Sequence, residues 1–271
     1  MGETTDIGWT YGTWNPWFGC IAVSPGCANC YAAALAARYG WPWGQDQRGK
    51  YGDKHWLDPV RWNKKAERAG TVRTIFPAMI DPFEGRPEMM TTLARFFRLI
   101  QDTPWLQWLL LTKRPENIIR LWPIFSSDEG TNSFAAIPNV RLMTSCEDQK
   151  RADMRIPELF KAASILGLPV GLSCEPLLGP LDLSAYMDGL GPSALFIVGG
   201  ESGPKHRHME LAWAASLRDQ ARASATPYYF KQTSAFKSNQ RGDCPDDLWI
   251  REMPPPMRAP NTIWTEAPAN A

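Results

Sequence analysis

Short apolar runs alternate with longer amphipathic stretches along this chain, which is the pattern of repeated strand–helix units. Residues 105–111 form a continuous apolar run, which is typical of a parallel strand buried on both faces. The same pattern predicts further strands at residues 14–19, 74–79, 140–144, 170–173, 195–198 and 227–232. We therefore predict an α/β protein whose fold is a full or partial parallel (β/α) barrel.

Amphipathic stretches between these runs predict helices at residues 27–39, 87–101, 149–163 and 211–223, the first of them ending at Gly40. Residues 41–72 are rich in Trp, Gly and charge without a clear period, and we interpret them as an insertion in a βα connection. The sequence predicts one barrel-like domain over residues 1–243 and a Pro-rich C-terminal tail at 244–271.

Polar or charged side chains follow the predicted strands. They are Lys113, Arg114, Glu147, Glu175, Glu201, Ser202, Lys231 and Gln232. Any strand must end in something polar, but the carboxyl ends of parallel barrel strands share one face, where active sites are built. Functional side chains at so many ends favour one shared site.

Composition narrows the class of protein. A formal net charge of +1 gives no global basic field that would draw the chain onto nucleic acid, although a local basic patch remains open. No apolar run approaches the roughly 20 residues of a membrane span, and the polar N-terminus does not resemble a signal peptide. The 13 Trp residues either fill core and rim or stack on a base at the barrel mouth. We expect a cytoplasmic protein.

Three of the six cysteines are crowded into one loop, at Cys20, Cys27 and Cys30. The two-residue gap between Cys27 and Cys30 is a common metal-ligand spacing, and the turn at Pro25 and Gly26 can return Cys20 toward that pair. A helix that begins at this loop would stabilise thiolates through its positive dipole end. We predict one metal centre on these three cysteines.

Four interpretations of the cysteine loop compete. A disulfide would leave one cysteine over, and a redox pair would not explain Cys20. Structural zinc needs a fourth ligand, which Cys146, Cys174, Cys244 or a histidine would have to supply from a distance. A 4Fe–4S cluster on three thiolates leaves one iron open for a substrate or cofactor. Ligand softness favours the cluster, with zinc as the alternative.

Several long motifs resemble a phage-associated family of bacterial and viral proteins that is named only for two phage gene products. The resemblance spans about residues 6–235 and is looser at 41–72 and 81–90. It rests on Thr13-Trp14-Asn15-Pro16-Trp17, Gly19-Cys20, Ser24-Pro25-Gly26-Cys27, Asn29-Cys30-Tyr31, Leu111-Thr112-Lys113-Arg114-Pro115-Glu116, Leu172-Ser173-Cys174-Glu175-Pro176-Leu177-Leu178-Gly179-Pro180, Val198-Gly199-Gly200-Glu201-Ser202-Gly203 and Phe230-Lys231-Gln232.

That family is similar to the radical S-adenosylmethionine superfamily, which implies a cluster in the loop after the first barrel strand. The superfamily usually has three residues between its first two cysteines, whereas six separate Cys20 from Cys27 here. Gly199-Gly200-Glu201 resembles the superfamily's element for the cofactor's amino group, but it follows a late strand instead of the second. The resemblance therefore implies a cluster whose cofactor geometry differs from the usual one.

Side chains for binding S-adenosylmethionine are predicted at the strand ends. Two adjacent glycines permit close approach of a ligand to the backbone, and the following glutamate could accept from an ammonium or a ribose hydroxyl. The alternative is a tight turn with a solvated glutamate. A cation at the mouth would bind a carboxylate or phosphate, or else pair with a neighbouring acid. The predicted cofactor contacts are Gly199, Gly200, Glu201, Ser202, Arg114, Glu147, Glu175 and Lys231.

Other candidate residues have simpler interpretations. Asp81 fits a helix cap. His206 and His208 fit a solvated loop better than a metal half-site. Cys146 and Cys174 fit small buried hydrophobic positions, or spare ligands for zinc.

The leading hypothesis is a radical S-adenosylmethionine-type enzyme that holds a 4Fe–4S cluster and generates a 5′-deoxyadenosyl radical. It would need an electron donor, and the phage association weakly favours a nucleic acid or nucleotide substrate. No residue is assigned a catalytic role. The alternative is a non-catalytic phage-associated or nucleic-acid-associated protein with a structural zinc or iron–sulfur site.

Overall fold

A curled sheet of parallel strands forms the centre of the molecule. The computed structural model describes residues 2–45, 48–126, 132–257 and 260, and within them seven strands make a half-barrel. The strands are β1 (Gly12–Thr13), β2 (Trp17–Phe18), β3 (Gly49–Lys50), β4 (Arg73–Phe76), β5 (Leu106–Thr112), β6 (Ile124–Ser126), β7 (Asn132–Phe134), β8 (Val140–Ser145), β9 (Val170–Cys174), β10 (Leu195–Gly199) and β11 (Tyr228–Gln232). The helices are α1 (Tyr31–Tyr39), α2 (Asp53–Arg68), α3 (Met90–Gln101), α4 (Ile118–Leu121), α5 (Gln149–Leu166), α6 (Ser184–Leu190) and α7 (Leu211–Ala223).

The order of the central sheet is β1-β4-β5-β8-β9-β10-β11, and every neighbouring pair in it is parallel. Each connection therefore returns to the adjacent position, as in a β/α barrel. Two antiparallel pairs, β2 with β3 and β6 with β7, lie outside this sheet. The predicted partial parallel barrel is confirmed.

Alternation along the strands separates two apolar cores. Trp108, Leu142 and Phe196 belong to the larger core, together with side chains of the surrounding helices. Leu109 and Met143, their neighbours in sequence, belong to a smaller core that also includes Trp9. β5 and β8 are therefore buried on two sides, which explains the apolar runs at 108–111 and 142–143.

The first strand and the first helix differ from the sequence prediction. A strand was predicted at residues 14–19, but the central sheet takes Gly12–Thr13, and Trp17–Phe18 pairs with β3 instead. The helix predicted at 27–39 begins only at Tyr31, because Pro25–Cys27 forms a separate 3-10 turn and Cys30 has an extended ψ of 122°. Its predicted end at Gly40, which is left-handed with φ 65°, is confirmed.

Residues 41–72, interpreted from the sequence as an insertion in a βα connection, contain the 16-residue helix α2, which the sequence analysis did not predict. The buried positions of α2 are Trp56, Pro59, Asn63 and Ala66, which have helical spacing. The sequence does not show this spacing as an apolar pattern, because Pro59 and Asn63 are not usual core residues. Asn63 Oδ1 accepts a hydrogen bond of 2.8 Å from the backbone N–H of Trp105, which ties α2 to the start of β5.

Both chain ends pack against the sheet. Asn239 Nδ2 donates to the carbonyl of Asp6 at 2.9 Å, so the N-terminal segment crosses to the β11 side. Within the predicted C-terminal tail, Cys244 and Leu248 are buried in the larger core, and Arg251 forms a bridge with Tyr229 of β11. Residues 258–259 and 261–271 of that tail lie outside the described residues. No helix in the described part of the chain is long and apolar enough to cross a membrane.

Candidate metal centre

The loop with Cys20, Cys27 and Cys30 lies between β2 and α1, with Cys30 as the last residue before the helix. All three are free thiols and half-buried. Burial, reinforced by the carboxylates of Asp81 and Glu84, raises the pKa of Cys20 to about 12, so this thiol is protonated at neutral pH. The loop carries three sulfur donors, and the N-terminus of α1 directly follows the last of them, Cys30.

Three of the predicted cofactor contacts hold this loop. Each lies two residues beyond the end of its strand, as Arg114 does after β5, Glu147 after β8 and Glu201 after β10. Arg114 Nη2 donates to the carbonyl of Ile21 at 2.8 Å. The N–H of Gly26 donates to Glu147 Oε1 at 3.3 Å, and Asn29 Nδ2 donates to Glu201 Oε2 at 2.8 Å. The cysteine loop and the strand ends thus meet at one edge of the sheet.

Arg114 is itself fixed by a buried carboxylate. Its Nη1 lies 2.8 Å from Asp81 Oδ2, and Asp81 also accepts from Thr112 Oγ1 at 2.6 Å and from the N–H of Lys113 at 3.1 Å. Burial works to lower the pKa of Arg114, but Asp81 and Cys20 together, through their charges and hydrogen bonds, outweigh that effect and leave the pKa raised. The helix cap predicted for Asp81 is thus a buried ion pair, which keeps the guanidinium charged beside the loop.

Glu147 is a fully buried carboxylate. Burial works to raise its pKa, but hydrogen bonding by Ser24 and the charges of Arg155 and Lys113 outweigh that effect and leave the pKa lowered. Arg155 Nη1 lies 2.7 Å from Glu147 Oε2, which leaves Oε1 for the N–H of Gly26. Glu147 therefore stays ionised while it binds the backbone of the cysteine loop.

The close approach expected at Gly199 and Gly200 is made by the chain itself. A Cβ at Gly200 would lie 2.4 Å from the backbone nitrogen of Ser234, and the N–H of Gly200 donates to the carbonyl of Gln232 at 2.9 Å. Ser202 continues the contact through a parallel bridge with Ala235. These glycines therefore let β10 and the segment after β11 pack together.

The remaining predicted contacts lie at the mouth between the strands. Glu175 follows β9 and forms an ion pair with Lys231 of β11, and the two side chains are only 18% and 15% exposed. Lys113 Nζ donates to Ser145 Oγ at 3.1 Å, across the ends of β5 and β8. The mouth therefore presents one paired carboxylate and two ammonium groups close to the sheet edge.

Sequence reasoning missed several residues that hold the cysteine loop. Glu84 Oε1 accepts from the N–H of Ile21 at 2.9 Å, and the buried Arg48 binds the Glu84 carboxylate. Arg207 donates to the carbonyl of Pro25 at 3.0 Å and pairs with Glu201. Asn29 lies within a conspicuous motif, but Arg48, Glu84 and Arg207 carried no sequence signal, because their partners are distant along the chain.

The histidines and the spare cysteines are placed elsewhere. Cys146 and Cys174 are fully buried in the larger core, as the simpler interpretation predicted. His206 contacts the carbonyl of Gly203, and His208 lies 3.2 Å from Glu210. Over the described residues, no group of three or more His, Cys, Asp or Glu side chains is gathered closely enough to hold a metal ion.

The parallel half-barrel matches the partial barrel of spore photoproduct lyase. Spore photoproduct lyase complexed with dinucleoside spore photoproduct is similar with a TM-score of 0.56 and 15% identity, over 85% of this chain and 79% of that chain. A variant of the lyase with bound AdoMet and dinucleoside spore photoproduct gives 0.51 and 13%, over 83% and 76%. At 15% and 13% identity, these similarities show that the fold is shared and nothing about activity.

The chain belongs to the family described as "Protein of unknown function (DUF5131)", which matches residues 4–259. This match extends beyond the span of 6–235 that carries the sequence motifs, and it includes the part of the C-terminal segment that packs against β11. No curated protein matches the chain. The phage association stays a prediction.

Proposed function

We propose that this protein is a radical S-adenosylmethionine-type enzyme whose 4Fe–4S cluster is held by Cys20, Cys27 and Cys30. The observation that carries the proposal is the position of these free thiols in a loop bound to the strand ends of a radical-SAM-type half-barrel. The carboxyl edge of such a sheet is where β/α barrels build their active sites.

The chemistry of the three donors fits an iron–sulfur cluster, for which the loop must bring the thiols closer together than the structure has them. Cysteine thiolates are the usual ligands of these clusters, and three of them leave one iron available to a further ligand. When bound, such a cluster supplies one electron that cleaves S-adenosylmethionine into methionine and a 5′-deoxyadenosyl radical. The electron comes from an external donor, and the radical takes a hydrogen atom from the substrate to give 5′-deoxyadenosine.

The chain's own residues divide into two groups under this proposal. Arg114, Glu147 and Glu201 fix the cysteine loop by the hydrogen bonds described above. Glu175 and Lys231 are the partly exposed pair at the mouth, with the charges that the amino and carboxylate groups of S-adenosylmethionine require. Gly199, Gly200 and Ser202 keep the ends of β10 and β11 together beside that pair.

The concave face of the sheet supports radical chemistry through exclusion of water. Phe76, Leu109, Met143 and Ile197 are buried there, and they present few polar atoms to a reactive intermediate. A nucleic acid or nucleotide is the substrate class we propose, supported by the dinucleoside spore photoproduct bound to the structural neighbour.

Anaerobic reconstitution with iron and sulfide tests the cluster. We expect about four irons and four sulfides per chain with absorption near 400 nm, since that is the composition of the proposed cluster. Cys20→Ala, Cys27→Ala and Cys30→Ala should each lose most of the iron. Cys244→Ala is the matched control, because Cys244 is a free buried cysteine that belongs to the larger core.

Reduction of the reconstituted protein with S-adenosylmethionine tests the enzymatic part. We expect 5′-deoxyadenosine and methionine, detected by chromatography, and their loss in Cys27→Ala. One zinc and no iron in the purified protein would contradict the cluster and favour a structural metal site. A full cluster without either product would leave an iron–sulfur protein that lacks radical chemistry.

A further inference from the structure

An aromatic cluster beside the cysteine loop belongs to neither apolar core of the protein. We call it the aromatic platform, and its rings are those of Phe18, Tyr39, Trp41, Tyr51 and His55. Tyr39 is 56% exposed, and the other four side chains are half-buried. Aromatic rings that only filled a core would be covered more completely.

The rings of the platform form a continuous series. Tyr39 stacks on Trp41 with centroids 5.1 Å apart, and Trp41 lies 5.0 Å from Phe18. Phe18 lies 5.3 Å from Tyr51, which stacks on His55 at 4.1 Å. His55 also stacks on the buried Trp14 with centroids 4.8 Å apart, so that end of the series is joined to the larger core. The exposed Tyr39 and its neighbour Trp41 form the end that can offer a π face to a planar ligand, and every nucleobase has such a face.

Cations flank the platform. The Arg38 guanidinium lies 5.8 Å from the centre of the Tyr39 ring, and the exposed Lys50 and Lys54 are adjacent in sequence to Tyr51 and His55. The carboxylate of Asp53, which lies between them in sequence, is engaged by Arg95 at 2.9 Å. Exposed rings with neighbouring positive charges are the combination that single-stranded nucleic acids require, one for the bases and the other for the phosphates.

The platform lies next to the cysteine loop at its middle ring, Phe18, and is joined to the other end of the loop through α1. Phe18 precedes Cys20 by two residues, and the N–H of Gly44 donates to the carbonyl of Cys20 at 3.2 Å. At the other end α1 runs for nine residues from the loop to Tyr39, a distance of roughly 13 Å at the rise of an α-helix. A strand stacked on the platform would therefore pass close to the proposed active centre.

We propose that the aromatic platform binds unpaired bases of a single-stranded nucleic acid next to the nucleotide on which the enzyme acts. The part of this inference that places an enzyme substrate next to the platform rests on the proposed function. Binding of bases to the platform does not require the cluster. Stacking explains why the rings stay at the surface, and it gives little selectivity between bases.

Fluorescence anisotropy with a labelled single-stranded oligonucleotide, in DNA and RNA forms, tests the platform on the full chain. Tyr39→Ala and Trp41→Ala should each weaken binding by roughly five- to 150-fold, the usual range for the loss of one base-stacking ring. Tyr39→Leu should weaken it similarly, because leucine covers the same surface without a π face. Affinity for the wild type should fall steeply as salt is raised.

Tyr11→Ala is the matched control. Tyr11 is also an exposed tyrosine, at 39%, with Arg73 over its ring at 4.5 Å. It precedes β1, however, and so lies at the amino end of that strand, whereas the cysteine loop lies at the carboxyl ends of the strands. Binding should be unchanged in this variant. An equal loss in Tyr11→Ala and Tyr39→Ala would overturn the proposal, as would equal affinity for duplex DNA or for polyglutamate.

The wild-type protein before reconstitution with iron and sulfide separates this inference from the proposed function. It should bind the oligonucleotide as the reconstituted protein does. If iron and cleavage of S-adenosylmethionine are found but no oligonucleotide binds, only the platform proposal fails. If the platform binds but no iron can be incorporated, the proposed function fails and the interaction surface remains.

Discussion

Asp81 is a single buried carboxylate on which the position of the cysteine loop depends. It is 5% exposed and accepts hydrogen bonds from Thr112, Lys113 and Arg114. Arg114 in turn donates to the carbonyl of Ile21, one residue after Cys20. A carboxylate at this position therefore links the end of β5 to a predicted metal ligand through one guanidinium.

Asp81→Ala should destabilise the protein, because the buried guanidinium of Arg114 loses its main counter-charge. We expect the free energy of unfolding to fall by about 3–5 kcal/mol, the usual cost of removing one partner of a buried ion pair. Urea denaturation of the metal-free protein measures it. Asp219→Ala is the control, since Asp219 pairs with Arg218 while 62% exposed, and it should leave the free energy of unfolding nearly unchanged. An equal fall in the free energy of unfolding in the two variants would show that the buried Asp81–Arg114 pair stabilises the protein no more than an exposed pair does.

At the scale of elements, the sequence predicted best those strands whose burial is continuous. β5, β8, β9, β10 and β11 lie within about two residues of their predictions, because an apolar run reports burial on both faces of a strand directly. β1 was misplaced, since two residues carry no period and only pairing with Ile75 and Phe76 defines the strand. Helix α2 was missed because Pro59 and Asn63 occupy buried positions that usually carry apolar side chains.

The candidate site was predictable in a similar measure. The strand-end residues Arg114, Glu147 and Glu201 were singled out from their positions alone, and the structure brings them to the cysteine loop. Their role in holding the loop was not predictable, since it depends on distances between segments far apart in sequence. Arg207, which donates to Pro25 across 182 positions, is the clearest case.

Arg207→Ala should loosen the cysteine loop without unfolding the barrel. Arg207 binds both Glu201 and the carbonyl of Pro25, so its removal takes one contact from the centre of the loop, while those of Ile21, Gly26 and Asn29 remain. We expect faster hydrogen–deuterium exchange in peptides that cover residues 20–30, and an unchanged pattern in β8. Arg222→Ala is the control, because Arg222 is 58% exposed and its ion pair with Asp219 spans 3.9 Å. Unchanged exchange at residues 20–30 would mean that Arg207 does not hold the loop.

At the scale of the whole molecule, segments near both ends of the chain pack against β11, an edge strand of the half-barrel. The N-terminal segment lies against β11, where a Cβ at Gly8 would meet the hydroxyl of Tyr229 at 2.2 Å. Trp9 belongs to the smaller core, with its ring 4.6 Å from that of Phe76. The C-terminal segment adds Leu248 to the larger core and Arg251 to the edge of β11.

A truncation after residue 243, the predicted end of the domain, should therefore destabilise the barrel, whereas one after residue 257 should not. The shorter chain loses the buried side chains of Cys244 and Leu248 and the hydrogen bond that Phe230 donates to the carbonyl of Ile250 at 2.7 Å. Loss of one large buried side chain alone costs about 2–5 kcal/mol, which corresponds to a fall in Tm of roughly 5–15 °C for a domain of this size.

Thermal unfolding followed by circular dichroism measures the difference. The chain that ends at 257 is the matched control, because it keeps every one of these contacts. Equal Tm values for the two chains would place the end of the domain at residue 243, and the packing of the C-terminal segment would then contribute nothing to the stability of the barrel.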